Sequence, residues 1–289
     1  MAVSEFLAVN PALFTAFAAL LGLLVGSFLN VVIHRLPIML ERSWRSQCAE
    51  LLNQPQATSS QPFNLWVPRS QCPTCGHLIT AAENIPLFSY IVQHGRCKHC
   101  KTPISLQYPL IELLSGVLIA LVAWHFGFGW QALAAFALTW ALLALGAIDF
   151  KTQLLPDNIT LPFLWLGLIL GLFGVFTDLR SSVIGAVAGY LSLWLVYQGF
   201  RLLTGKEGMG YGDFKLLAML GAWQGWHYLV PIILVSSVVG AIVGVALILI
   251  RGRDRHAPIP FGPFLAVAGW ITLLWGEPLN HWYLRWLGL

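Results

Sequence analysis

Trp130–Ile148 is a largely apolar run that ends, in Leu145-Gly-Ala-Ile-Asp149, on an acid. A second acid closes Gly210-Tyr-Gly-Asp213, just ahead of another apolar stretch. Both carboxylates fall at the seam between a hydrophobic helix and a short polar loop. An ionised group is expensive there, so its presence points to function. Two carboxylates brought together by helix packing can share one proton and activate a water, which is aspartic-protease chemistry.

Outward from these acids the chain reads as membrane-embedded. It is 57% hydrophobic and only 10% charged, with a mean hydropathy of +0.74. So little charge cannot cover a soluble domain of this length. The 13 tryptophans fit indoles at the two membrane interfaces. The excess of positive charge, +4, falls in short loops and reads as topogenic, so no nucleic-acid partner is expected. Apolar runs predict spans near Pro11–Ile33, Gln107–Phe126, Trp130–Ile148, Ile159–Phe176, Ser181–Phe200, Phe214–Gln224 (short), Tyr228–Ile250 and Phe261–Trp275, with Pro278–Leu289 as an interfacial tail. The expected fold is an all-α polytopic membrane protein of about eight transmembrane helices, divided into a first helix (1–33), a polar insert (34–105) and a transmembrane core (106–289).

Arg35, Arg42, Arg45, Arg69, Arg96, Lys98, Lys101, Lys151, Arg201, Lys206, Arg251, Arg253 and Arg255 fall on one side when spans alternate, against Arg180 and Arg285 on the other. The positive-inside rule makes the rich side cytoplasmic, which puts both termini outside the cytoplasm and Asp149 and Asp213 at its face. Met1–Asn10 lacks a positive n-region, so no cleavable signal peptide is expected.

Within the insert, Glu41–Asn64 is polar and rich in Gln, Ser and Pro, and reads as loosely ordered. Then come Cys72-Pro-Thr-Cys75-Gly-His and Cys97-Lys-His-Cys100-Lys. Two such knuckles have zinc-ribbon spacing, with Gly76 letting the chain turn back past the ion. Four cysteines make a closed, structural zinc site that substitutes for a core. A redox dithiol lacks its strand–helix context, and cytoplasmic disulfides are disfavoured. Cys48 is left over, and His77 and His99 read as neighbours of the site, not ligands.

Pro156 is expected to stop the segment after Asp149, with Asp157 or Asn158 capping the next helix. Asp213 has a plain alternative as a helix cap. The glycines at 208, 210 and 212 argue for positive φ or close approach to a ligand. Lys215 either orients a carboxylate or snorkels to headgroups. Glu112 is an acid lodged in a span, equally suited to a structural hydrogen bond with a neighbouring helix and to binding a cofactor.

These features resemble the type IV prepilin peptidases, bifunctional leader peptidase/N-methyltransferases of bacterial pilus and type II secretion systems. The resemblance runs over nearly the whole chain: Gly26-Ser-Phe-Leu-Asn-Val-Val-Ile-His-Arg-Leu-Pro37, the cysteine knuckles, Glu83-Asn-Ile-Pro86-Leu-Phe-Ser-Tyr90, Tyr108-Pro-Leu-Ile-Glu112, Ile148-Asp149 through Leu155-Pro-Asp157, and Gly208-Met-Gly-Tyr-Gly-Asp213-Phe-Lys215. It implies that Asp149 and Asp213 are the catalytic pair. It implies cleavage of prepilins and pseudopilins between a basic leader and a hydrophobic helix, at the cytoplasmic face of the inner membrane. Methylation of the new N-terminal residue, usually phenylalanine, by S-adenosylmethionine is implied as well. No G-x-G-x-x-G follows a strand, so a Rossmann-type donor site is not supported; Glu112 is the one candidate for donor binding. The rival expectations are a transporter using the two aspartates as ion or proton ligands, and a non-enzymatic assembly factor docking a partner through the zinc ribbon.

Overall fold

The computed structural model describes residues 8–54, 62–251 and 260–286. Among these residues the only sheet-like pairing is two isolated antiparallel bridges, Gln71 with Leu78 and Arg96 with Pro103. The helices are α1 (Pro11–Leu51), α2 (Phe88–Val92), α3 (Gln107–Phe126), α4 (Trp130–Thr152), α5 (Asp157–Leu172), α6 (Leu179–Thr204), α7 (Tyr211–Gln224), α8 (Leu229–Arg251) and α9 (Gly262–Trp286). Five stretches are long and apolar enough to cross a membrane: α1, α3, α4, α6 and Trp226–Ala246, which holds most of α8. Each predicted apolar run falls largely on a helix, though Ile159–Phe176 outruns α5, which ends at Leu172; α5 has 16 residues and α7 only 14.

The chain forms two compact units, Met1–Ala132 and Leu133–Leu289. In the first, α1 and α3 pack face to face through small residues. A β-carbon on Gly22 would press on the Ser115 carbonyl, and one on Gly26 on the Glu112 backbone. Ser115 ties the pair by donating its hydroxyl to the Gly22 carbonyl at 2.5 Å. Without a hydrophobic drive between helices in lipid, such close backbone approach and interhelical hydrogen bonds hold them together.

Helix α1 corrects the sequence reading. It does not end near Ile33 but continues through Pro37 to Leu51, 41 residues in all. The stretch Glu41–Leu51, expected to be loose, is helical and solvent-exposed, with Arg45 paired to Glu41 one turn away. Residues 55–61 of the predicted loose segment, Met1–Leu7 of the predicted uncleaved N-terminus, and Arg253 and Arg255 lie outside the described residues. Gly262–Trp286 is helical with a kink at Trp275 (φ −125°), so the described part of the predicted interfacial segment, which starts at Pro278, forms a helical arm beyond that kink; 287–289 lie outside the described residues.

In the second unit the short helix α7 is the axis. From Asp213 to Gln224 it is buried except at Lys215, and it packs against α5, α6 and α9. Such enclosure matches its sequence, which is apolar all round. Gly221 faces Gly185 of α6 with the backbones in direct contact, and Gly189 sits on the Leu217 carbonyl. Trp223 donates its indole N–H to the Phe163 carbonyl of α5 at 2.7 Å, and Gln224 donates to Gly269 of α9 at 2.9 Å. Helix α4 joins α9 through Thr139, which receives the Trp270 indole N–H at 3.2 Å.

Candidate active site

Asp149 lies in the last turn of α4, and Asp213 in the first turn of α7. Helix α4 stops before Pro156, not at it. Gln153 turns left-handed (φ 54°), and its N–H closes on the Asp149 carbonyl at 2.8 Å. The intervening loop brings Leu155 back against two glycines. Its side chain lies 2.7 Å from where a β-carbon on Gly212 would be, and 3.1 Å from one on Gly262. Gly212 immediately precedes Asp213, and a β-carbon on Gly262 would fall 2.6 Å from Asp149 Oδ2. Asp149, Gly262, Leu155, Gly212 and Asp213 thus form one continuous cluster. The carboxylates are 5% and 7% exposed. The Gly262 amide faces the Asp149 carboxylate, and Oδ2 has no hydrogen-bond partner among the described residues. Two carboxyl groups gathered in one buried cluster can share a single proton.

Several local readings change. Gly210, not Asp213, is the N-cap of α7. The glycines at 208, 210 and 212 do not adopt positive φ; Gly208 makes room for Phe200 and Gly212 for Leu155. Neither Asp157 nor Asn158 caps α5. Pro156 occupies the N-cap, and Asp157 instead receives Lys215 Nζ on both oxygens, at 2.8 and 2.7 Å. Lys215 therefore orients a carboxylate, that of Asp157. Sequence reasoning missed Gly262 and Leu155, because nothing local marks a residue whose task is to leave space or to fill it.

In the first unit the sulfur atoms of Cys72, Cys75, Cys97 and Cys100 lie within 4.8 Å of one another. Cys72 and Cys100 are 3.7 Å apart, close to the edge of about 3.8 Å that a tetrahedron with Zn–S of about 2.3 Å requires. The set fits structural zinc. The knuckles are near copies: Cys72 N–H bonds to His77 O and Gly76 N–H to Cys72 O, just as Cys97 N–H bonds to Thr102 O and Lys101 N–H to Cys97 O. Gly76 (φ 71°) and Lys101 (φ 61°) take the same left-handed turn. The Thr102 hydroxyl and amide draw Cys100 down to about 6, whereas at Cys75 the pull of the His77 backbone is outweighed by desolvation and the neighbouring thiols, which push it up to about 11, so the four sulfurs do not give up their protons alike. His77 and His99 stack on each other at 5.5 Å, outside the sulfur cluster, and Cys48 is exposed on α1.

Glu83 joins the two knuckles. Its Oε2 accepts from the Thr80 amide and hydroxyl at 3.0 Å each and lies 3.2 Å from His77 Nε2; Lys98 of the second knuckle is 3.6 Å from Oε1. Glu112 accepts the Leu87 amide at 2.9 Å and also meets the Ser27 hydroxyl of α1, so it bonds to the insert and, as one reading had it, to a neighbouring helix. The first bond anchors a residue in left-handed backbone (Leu87, φ 58°). Arg35, on α1, is 8% exposed. Its Nη1 donates to the Asn64 carbonyl at 3.0 Å and its guanidinium lies 5.8 Å from the Phe63 ring, over which Arg42 sits at 4.2 Å. Among the described residues no carboxylate pairs with Arg35.

A helical membrane protein with two juxtaposed buried carboxylates at helix ends and a four-cysteine metal cluster belongs, by its chemistry, with the membrane aspartic peptidases. Comparison makes this specific. Residues 20–126 match the bacterial peptidase A24 N-terminal domain, and 136–245 match the type IV leader peptidase family. A Stutzerimonas stutzeri protein named prepilin leader peptidase/N-methyltransferase is 57% identical over 97% of each chain. Proteins of that name from Pseudomonas aeruginosa (54%, covering 100% of this chain and 99% of the relative) and Aeromonas hydrophila (56%, 95% of each) are similar as well. No solved structure matches. The chain belongs to the type IV leader peptidase family, and it is a peptidase and an N-methyltransferase. The transporter alternative draws no support from these relatives.

Proposed function

We propose that the protein removes the leader from prepilins and pseudopilins at the cytoplasmic face of the bacterial inner membrane, with Asp149 and Asp213 as the catalytic dyad, and then methylates the new N-terminus. The observation that carries this reading is the buried carboxylate pair gathered around Leu155 and Gly262. One carboxylate, ionised, takes a proton from water as its oxygen attacks the scissile carbonyl. The other, protonated, polarises that carbonyl and then protonates the leaving amine. Placement at helix ends suits a bond lying between a soluble leader and a bilayer-embedded helix. In the same reading the chain crosses the membrane eight times, the zinc-bound insert (34–105) is cytoplasmic, and the peptidase chemistry resides in 106–289.

S-adenosylmethionine supplies an electrophilic methyl group when bound, and its amino-acid carboxylate suits a buried guanidinium that has no acidic partner. Glu112, bonded to the Leu87 amide and to Ser27 of α1, holds the insert in place in this reading. Incubating the purified protein in detergent with a prepilin and following leader loss by gel shift tests the dyad. Asp149→Asn and Asp213→Asn are each expected to lower cleavage by at least about a thousandfold while still inserting. Full cleavage by either variant overturns the assignment.

A further inference from the structure

We propose that Arg35 binds the carboxylate of the methyl donor, where α1 meets the segment Phe63–Asn64. This inference rests on the N-methyltransferase activity.

A guanidinium has five N–H donors and keeps its charge, so burying it without an anion is costly. Arg35 is nine-tenths buried, yet among the described residues its only hydrogen-bond partner is one neutral carbonyl, reached through Nη1. The Phe63 ring near it offers a weak cation–π contact. Residues 55–61, which precede Phe63 in the sequence, contain no acid. The rest of the guanidinium fork is left for a planar oxyanion, which it can grip through two parallel hydrogen bonds. Arg42, one face along α1 and stacked on the same ring, adds positive potential.

Two sources of oxyanion compete: the donor's carboxylate and a phospholipid phosphate. An arginine serving the headgroup layer extends its stem and leaves its charge in water. Arg35 is instead turned toward Asn64 and Phe63 of the insert, which favours a small molecule bound at the insert over a headgroup.

The test is equilibrium binding of S-adenosylhomocysteine and its decarboxylated analogue to the purified full-length protein in detergent. Wild type is expected to prefer the carboxylate-bearing ligand on the order of tenfold to a hundredfold, the range of a charge-assisted hydrogen-bonded contact. Arg35→Gln should bind both ligands equally, and Arg35→Lys should retain part of the preference. A purely structural arginine would weaken both ligands alike and leave the preference intact, which overturns the proposal. Absence of preference in wild type overturns it too, even if Arg35→Gln fails to fold. If, in addition, native mass spectrometry shows Arg35→Gln losing a bound anionic phospholipid, the arginine serves lipid phosphate. Should wild type bind neither ligand, the methyl-donor reading itself falls; binding without preference sinks only the role of Arg35.

Discussion

Glu83 shows how much one side chain can carry in a domain too small for a core. It gathers donors from Thr80, His77 and Lys98, and the Thr80 amide and hydroxyl, then His77, hold its carboxyl down at about 2. A depressed carboxyl stabilises the fold above its unfolded value and loses that contribution as pH falls through the folded one. The difference in thermal midpoint between wild type and Glu83→Gln should therefore be full above pH about 4.5 and close as pH approaches about 2; a pH series of melts checks it. Gly262 makes the opposite kind of contribution, by lacking atoms. Gly262→Ala would put a methyl 2.6 Å from Asp149 Oδ2, so cleavage should fall at least tenfold with insertion unaffected, as read by the same gel shift and by membrane fractionation. Of these residues, the acids and cysteines were legible because their chemistry is improbable in an apolar chain. Gly262 and Leu155 were not, since their roles are defined only by neighbours distant along the sequence.

At the scale of elements, α7 depends on Gly185 and Gly221, whose backbones touch. Gly221→Ala must push α6 and α7 apart, a cost of about 1–3 kcal/mol, and since α7 carries Asp213, activity should drop with the melting temperature. Lys215–Asp157 links the starts of α7 and α5, but both partners are partly exposed. Lys215→Ala should cost no more than about 1 kcal/mol in stability, measured by detergent melts, which separates a surface tie from a catalytic group. Helix positions were readable from apolar runs, whereas helix ends were not. Glu41–Leu51 looked loose because it belongs to a polar stretch rich in Gln, Ser and Pro, yet a solvated helix also takes polar residues, and polarity alone does not tell them apart. At Asp157 the cap rule lost to a stronger partner, Lys215, which lies 58 residues away in sequence.

For the whole molecule, the compact units Met1–Ala132 and Leu133–Leu289 place the metal cluster in one and the carboxylate pair in the other. Cys72→Ser or Cys97→Ser should release the metal, checked by elemental analysis, and open the insert to limited proteolysis while Leu133–Leu289 stays protected. The membrane class and the cysteine site were visible in composition and spacing; the two-unit division was not, because the grouping of α3 with α1 rests on small residues that no periodicity announces. The twin knuckles have a consequence of their own. Each supplies half a coordination shell on the same hairpin frame, with Gly76 and Lys101 interchangeable in posture. A synthetic peptide bearing either hairpin alone should consequently recruit a second copy of itself, two strands of peptide to each zinc, as though the insert were a dimer that a linker has made permanent.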